Sequence, residues 1–203
     1  EMTWLDNTLL RAYVLSPRLG QISADLLGVP AIRLYHDNVL AKQAGCGRTP
    51  WHFDDQHFPL DTNDVVTAWI PAQPTPIEMG PLSFAYPLDV YKLVNAIKFE
   101  KTGTNYDREV SKVFAKNGVA INETPFELGE VSFHHNLNFH NASQNSTDRS
   151  RVVLANTYYR SGAKVINSPT MVSGDWQKFM PNVKPGDVAV SPLNPICWPI
   201  NDK

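Results

Sequence analysis

The run Trp51-His52-Phe53-Asp54 is the densest concentration of chemistry-bearing side chains in the 203-residue chain. On an extended strand, side chains at i and i+2 share a face, so the His52 imidazole and the Asp54 carboxylate can converge on one ion while Phe53 and Asp55 point away. A second histidine from another strand would complete a two-histidine, one-carboxylate face, which suits Fe(II) and leaves coordination positions open for a co-substrate and O₂. The remaining histidines are His36, His57, His134, His135 and His140. His140 is preferred, because it closes the run from Gly129, where a strand gives way to the polar loop Asn141 to Asp148. A ligand at a strand end can face a cavity mouth. His134 and His135 are the fallback, and otherwise read as core or supporting histidines.

A dicarboxylate such as 2-oxoglutarate, chelating iron through its keto and C1 carboxylate groups, leaves a far carboxylate that is best neutralised by a planar guanidinium fork. Arg151 opens the segment Val152 to Tyr159, eleven residues beyond His140. Arg149 has the same strand parity, so alternation does not separate the two; Arg151 is preferred because it adjoins the strand. Lys42 could approach an anionic ligand, although an exposed lysine is the ordinary case. Trp51, Phe53 and Trp198 could wall a substrate cavity, with packing an equally good account. Trp69, taken alone, reads as core.

These residues need a scaffold. Ala31 to Tyr35, Val39 to Ala41, Val65 to Ile70, Leu82 to Ala85, Phe126 to Phe133, Val152 to Tyr159 and Val188 to Ser191 read as strands separated by turn residues, the pattern of an antiparallel jelly roll. From Trp4 to Leu27 apolar residues recur at helical intervals, interrupted at Pro17, which predicts two short packing helices. Leu88 to Lys116 reads as a helical insertion, and long excursions from a compact β scaffold often act as lids.

The length fits one domain spanning 1–203. A formal net charge of -2 gives no broad positive field for nucleic acid, and no apolar run approaches a membrane span. Small molecules are the expected partners. Cys46 and Cys197 cannot build a disulfide framework, so a cytoplasmic setting is the default. The Asn-x-Ser/Thr triplets at Asn122, Asn141 and Asn145 matter only in a secreted protein and are read as chance. The chain opens at Glu1 directly into a helical pattern, which leaves room for residues upstream.

Taken together, His52-x-Asp54, Phe58-Pro59, Trp69, the segment Gly80-Pro-Leu-Ser-Phe84, His140 and Arg151 resemble the phytanoyl-CoA dioxygenase family of iron(II) and 2-oxoglutarate oxygenases, over about residues 31 to 191. The resemblance implies a double-stranded β-helix (cupin-like jelly roll) with flanking and inserted helices, and iron held by His52, Asp54 and His140. It also implies 2-oxoglutarate anchored by Arg151, with Trp69 lining its pocket. Two positions depart from the family pattern: Phe53 stands where Gln is common, suggesting a more apolar substrate contact, and Ala142 replaces a small hydroxyl residue. Related halogenases lack the carboxylate, so Asp54 favours hydroxylation or another oxidation. The competing classes are a cupin-like hydrolase or isomerase holding Zn²⁺ or Mn²⁺, which has no evident need for Arg151, and a catalytically silent binding module.

Overall fold

The computed structural model describes residues 1–169 and 175–199. Two helices open the chain: α1, Thr8–Val14, capped by the Asn7 side chain, and α2, Pro17–Leu27, with Ser16 as its N-cap. Pro17 therefore starts the second helix rather than breaking one, since its missing N–H costs nothing in the first turn. Strands follow as β1, Ile32–Lys42; β2, Thr49–His52; β3, Val65–Pro71; and β4, Leu82–Tyr86. The insertion holds a 3₁₀ turn at Leu88–Val90, then α3, Tyr91–Val94, and α4, Asn105–Asn117. The chain closes with β5, Ala120–Glu123; β6, Ser132–His135; β7, His140–Ala142; β8, Arg151–Arg160; and β9, Ile196–Trp198.

The strands form two antiparallel sheets, a major one in the order β6-β3-β8-β1-β9 and a minor one in the order β2-β7-β4-β5. This is the expected double-stranded β-helix, mainly β with few helices. The details differ from the sequence-based expectation. Ala31–Tyr35 and Val39–Ala41 are one continuous strand. Only the end of Phe126–Phe133 joins a sheet, Phe126 making a lone bridge to Thr75. Val188–Ser191 contributes just a bridge from Val188 to Lys164. The short strands β5, β7 and β9 escaped notice because three or four residues carry too little alternation to register.

Register places the site. Across the inner face of the major sheet, His134, Thr67, Thr157 and His36 stand in one row, and Ser132, Trp69, Ala155 and Asn38 in the next. A shift in the β1–β8 pairing between Leu34 and His36 turns His36 inward, while Leu34 packs outward beneath the N-terminal helices. Facing them on the minor sheet are the rows His52–His140–Phe84 and Thr49–Ala142–Leu82. The β2–β7 register slips by one residue between Thr49 and His52, which lets both face inward despite their odd spacing. Outward from the minor sheet, Trp51, Phe139 and Ala85 pack against Val90, Val110 and Phe114 of the insertion. Among the described residues no helix is long and apolar enough to cross a membrane.

Candidate metal and co-substrate site

Between the sheets lies a cavity of about 380 Å³ whose walls include His52, Asp54, His140, Trp69 and Arg151. One ligand atom from each of His52, Asp54 and His140 lies within 4.8 Å of the others, the grouping a single ion requires. The His52 and His140 Nε2 atoms stand 3.7 and 3.9 Å from Asp54 Oδ1. Their Nδ1 atoms face backbone carbonyls, His52 Nδ1 at 2.8 Å from Pro50 O and His140 Nδ1 at 2.9 Å from Asn138 O. An Nδ1–H donated to a carbonyl fixes the tautomer that leaves Nε2 a bare lone pair, as metal binding requires. Burial, then the neighbouring His52, pushes the His140 imidazole down to about 3, so it stays neutral. Burial works to raise the Asp54 carboxyl, but His140, His134 and His52 outweigh it and hold the group well below the usual carboxylate range. The donor set, one carboxylate and two imidazoles whose Nε2 atoms face it, fits a divalent iron.

Asp54 arrives by a route other than the strand alternation expected of it. β2 ends at His52, and Asp54 has helical backbone angles at the start of a 3₁₀ turn, Asp55–His57. Its backbone is fixed from outside: the Asp54 N–H donates to Asn136 O at 2.8 Å, and Asn136 Nδ2 donates to Asp55 Oδ1 at 2.9 Å. The loop after β6 thus sets where the carboxylate points.

Arg151 and Arg149 are separated cleanly. Arg149 is exposed, whereas Arg151 is 5% exposed, lies over the Trp69 ring with Cζ 5.2 Å from its centroid, and donates through Nη1 to Gly80 O. Gly80 is required there, since its φ is +71° and a Cβ would collide with the Ser143 carbonyl. Arg151 Nε is buried without a hydrogen-bond partner, and no carboxylate forms an ion pair with this guanidinium among the described residues. Burial lowers it to about 10, still cationic at neutral pH. A buried, uncompensated guanidinium at one end of a cavity fits a carboxylate ligand. Lys42, its cross-strand partner on β1, is also buried, and donates to the carbonyls of Ser143 at 2.6 Å and Gly47 at 3.0 Å. It ties down the loop beside Arg151 and adds positive charge next to it.

Several expectations need correction. Trp51 is buried in the core, stacked on Phe139 at 5.7 Å, and Phe53 packs against Tyr91 at 4.9 Å; neither lines the cavity. Both flank the inward-facing His52 and so point to the outer side of the minor sheet. Trp198 packs under the N-terminal helices. No residue between 88 and 116 contributes to the cavity walls, so the insertion buttresses the back of the strand that carries His52 instead of covering the site. Sequence reasoning also missed wall residues Asn38, Thr49, Thr67 and Thr157, and had His36 only among the histidines not preferred as a ligand. Their only signal was alternation within strands whose register was unknown.

The sequence pattern of the phytanoyl-CoA dioxygenase family matches residues 2–153. No curated protein matches the chain by sequence. Among solved structures, the non-haem alpha-ketoglutarate-dependent carbocyclase SnoK from nogalamycin biosynthesis superposes with a TM-score of 0.74 at 24% identity, covering 96% of this chain and 73% of its own. The epimerase SnoN, in complex with Fe³⁺, alpha-ketoglutarate and nogalamycin RO, gives 0.71 at 20% identity, covering 97% and 76%. EctD from S. alaskensis, with 2-oxoglutarate and 5-hydroxyectoine, gives 0.69 at 13% identity, covering 93% and 65%. At these identities the superpositions establish the shared fold, and the match over three quarters of the sequence establishes kinship: the chain belongs to the phytanoyl-CoA dioxygenase family of non-haem iron, 2-oxoglutarate-dependent enzymes.

Proposed function

We propose that this protein uses Fe(II), 2-oxoglutarate and O₂ to oxidise a small-molecule substrate, with hydroxylation as the outcome. The observation that carries this reading is the presence, in one cavity, of the His52–Asp54–His140 face and the buried Arg151 guanidinium with its unpartnered Nε. A hydrolytic metal site would use the ligand set but leave that buried cation without a purpose. The bound Fe³⁺ and alpha-ketoglutarate of SnoN and the 2-oxoglutarate of EctD support the same assignment.

When bound, iron and 2-oxoglutarate supply with O₂ a two-electron oxidation of a substrate C–H, with release of succinate and CO₂. The protein's share is positioning. His52, Asp54 and His140 would hold the ion, leaving room beside it in the cavity for the co-substrate. Arg151 takes the far carboxylate of the co-substrate, and Trp69, Leu82, Ala142 and Ala155 give that end of the cavity apolar walls. Dry walls strengthen the charge pairing and keep water from competing for the open positions.

The test is an anaerobic titration of the metal-free protein with Fe(II) and then 2-oxoglutarate. A weak visible charge-transfer band that needs both additions and is lost in Asp54→Ala is the expected result. Fe(II) binding with no band would overturn the oxygenase reading in favour of a hydrolytic metal centre.

A further inference from the structure

The triplet Asn145-Ser146-Thr147, which the sequence offered only as a chance match, lies in the loop between β7 and β8 that leads to Arg151. Asn145 is fully buried, and both ends of its amide are taken. Its Nδ2 donates toward Lys42 O and Gln43 O, each at 3.1 Å, and toward Arg149 O at 2.7 Å. Its Oδ1 accepts from Thr147 N at 3.1 Å and from Thr147 Oγ1 at 2.7 Å. Carbonyls on one side and an N–H on the other fix which end of the amide is which. The Asn145 N–H donates to Cys46 O at 2.9 Å. A side chain so engaged has no donor or acceptor to spare for a ligand. Its work is to join segments of the chain.

Those segments meet at the two ends of Arg151. Lys42 and Arg151 are the last pair of the β1–β8 ladder. Just beyond them the Asn145 amide bonds the carbonyls of Lys42 and Gln43 on one side and of Arg149 on the other, an extra rung at the root of the arginine. Ser146 reaches the other end. Through N at 2.8 Å and Oγ at 3.1 Å it donates to Glu78 O, in the turn Ile77–Met79 that leads into Gly80. Gly80 O is the acceptor for Arg151 Nη1. Between root and tip the guanidinium lies over Trp69 with Nε unpartnered. A long side chain with spare donors has several staggered conformations open to it, so its aim depends on what fixes its two ends.

We infer that Asn145 is a positioning residue for 2-oxoglutarate, acting through Arg151: it locks the root of the guanidinium while its neighbour Ser146 locks the carbonyl at the tip. The inference rests on the proposed role of Arg151 as anchor of the far carboxylate.

The experiment is calorimetric titration of the Mn(II)-loaded protein with 2-oxoglutarate and with 2-oxobutyrate, which carries the same keto-acid chelate but no far carboxylate. The wild type is expected to prefer 2-oxoglutarate about tenfold, and Arg151→Ala to abolish that preference. Asn145→Ala should cut the preference about fivefold, within what the contact it positions is worth, while 2-oxobutyrate and Mn(II) binding stay as they were. Added to Arg151→Ala, it should change nothing further, the non-additivity of residues that act through one another. Thr147→Val, a milder change that removes the hydroxyl bonded to Asn145 Oδ1, should lower the preference about twofold, with Thr147→Ser restoring it. This pair decides the matter if Asn145→Ala does not fold. A preference that Arg151→Ala leaves intact would overturn the anchor reading and the inference with it. A preference lost in Arg151→Ala but kept in Asn145→Ala, or in Thr147→Val where that pair decides, would overturn the inference alone. So would an Asn145→Ala loss that falls equally on both keto acids or persists in the Arg151→Ala background.

Discussion

The two sheets furnish the cavity in different ways. In the major sheet, β1 and β8 run for eleven and ten residues and pair along nearly their whole length, so Arg151, Trp69 and Thr157 stand on a continuous ladder. In the minor sheet, the histidine-bearing strands β2 and β7 are four and three residues long. Such short strands hold their geometry through support from outside. Here it comes from Trp51 stacked on Phe139, from the Tyr106 hydroxyl donating to Trp51 O at 3.0 Å, and from an ion pair between Arg48 and Asp107. The end proposed for the co-substrate is thus built on intrinsic sheet structure, and the end proposed for the metal is braced by the inserted helix α4.

The sharpest way to break this comparison is at the metal end. Asp54→Ala removes the only anionic ligand of the grouping and should weaken Fe(II) affinity by at least about a hundredfold, measured by equilibrium metal titration, since even supporting residues of metal sites are worth roughly ten to a hundredfold. His134→Phe should cost far less, and the reverse order would move the third ligand from His140 to His134. Next in size is the brace itself. Trp51→Ala should destabilise the protein by about 3–5 kcal/mol, the usual range for a buried aromatic, read from denaturant unfolding. An unchanged midpoint with altered substrate preference would instead return Trp51 to the cavity wall. The smallest effect lies at the major-sheet end. Arg151→Ala should raise the 2-oxoglutarate requirement about tenfold, about 1.4 kcal/mol, with Fe(II) affinity unchanged. Arg149→Ala, at an exposed position, should leave both constants alone.

How legible each residue was in the sequence follows the same division. Val65 to Ile70 and Val152 to Tyr159 announced themselves as strands because long runs of β-branched and aromatic residues leave little choice of conformation. Trp51 and Phe53 were misread as cavity walls because adjacency to His52 looks like participation, yet alternation sends neighbours to opposite faces. Asp54 reached the expected place for an unexpected reason, held by the loop after β6 instead of by strand geometry. The row of His36, Thr67, Thr157 and His134 was invisible, since it draws one residue from each of four strands whose relative register no single strand encodes.

The sequence by itself determined the chemistry available: an H-x-D motif, a later histidine and arginine at family-like spacing, and a β-rich frame to carry them. These are local or compositional properties, written in residue types and short intervals. Only the tertiary structure decided which histidine joins His52 and Asp54 as a metal-ligand candidate and which one lies against the other carboxylate oxygen of Asp54. Only it decided which arginine is buried, and that the helical insertion braces the site from behind. Those outcomes depend on register between distant strands and on the burial that packing imposes, neither of which is a property of any one segment of the chain.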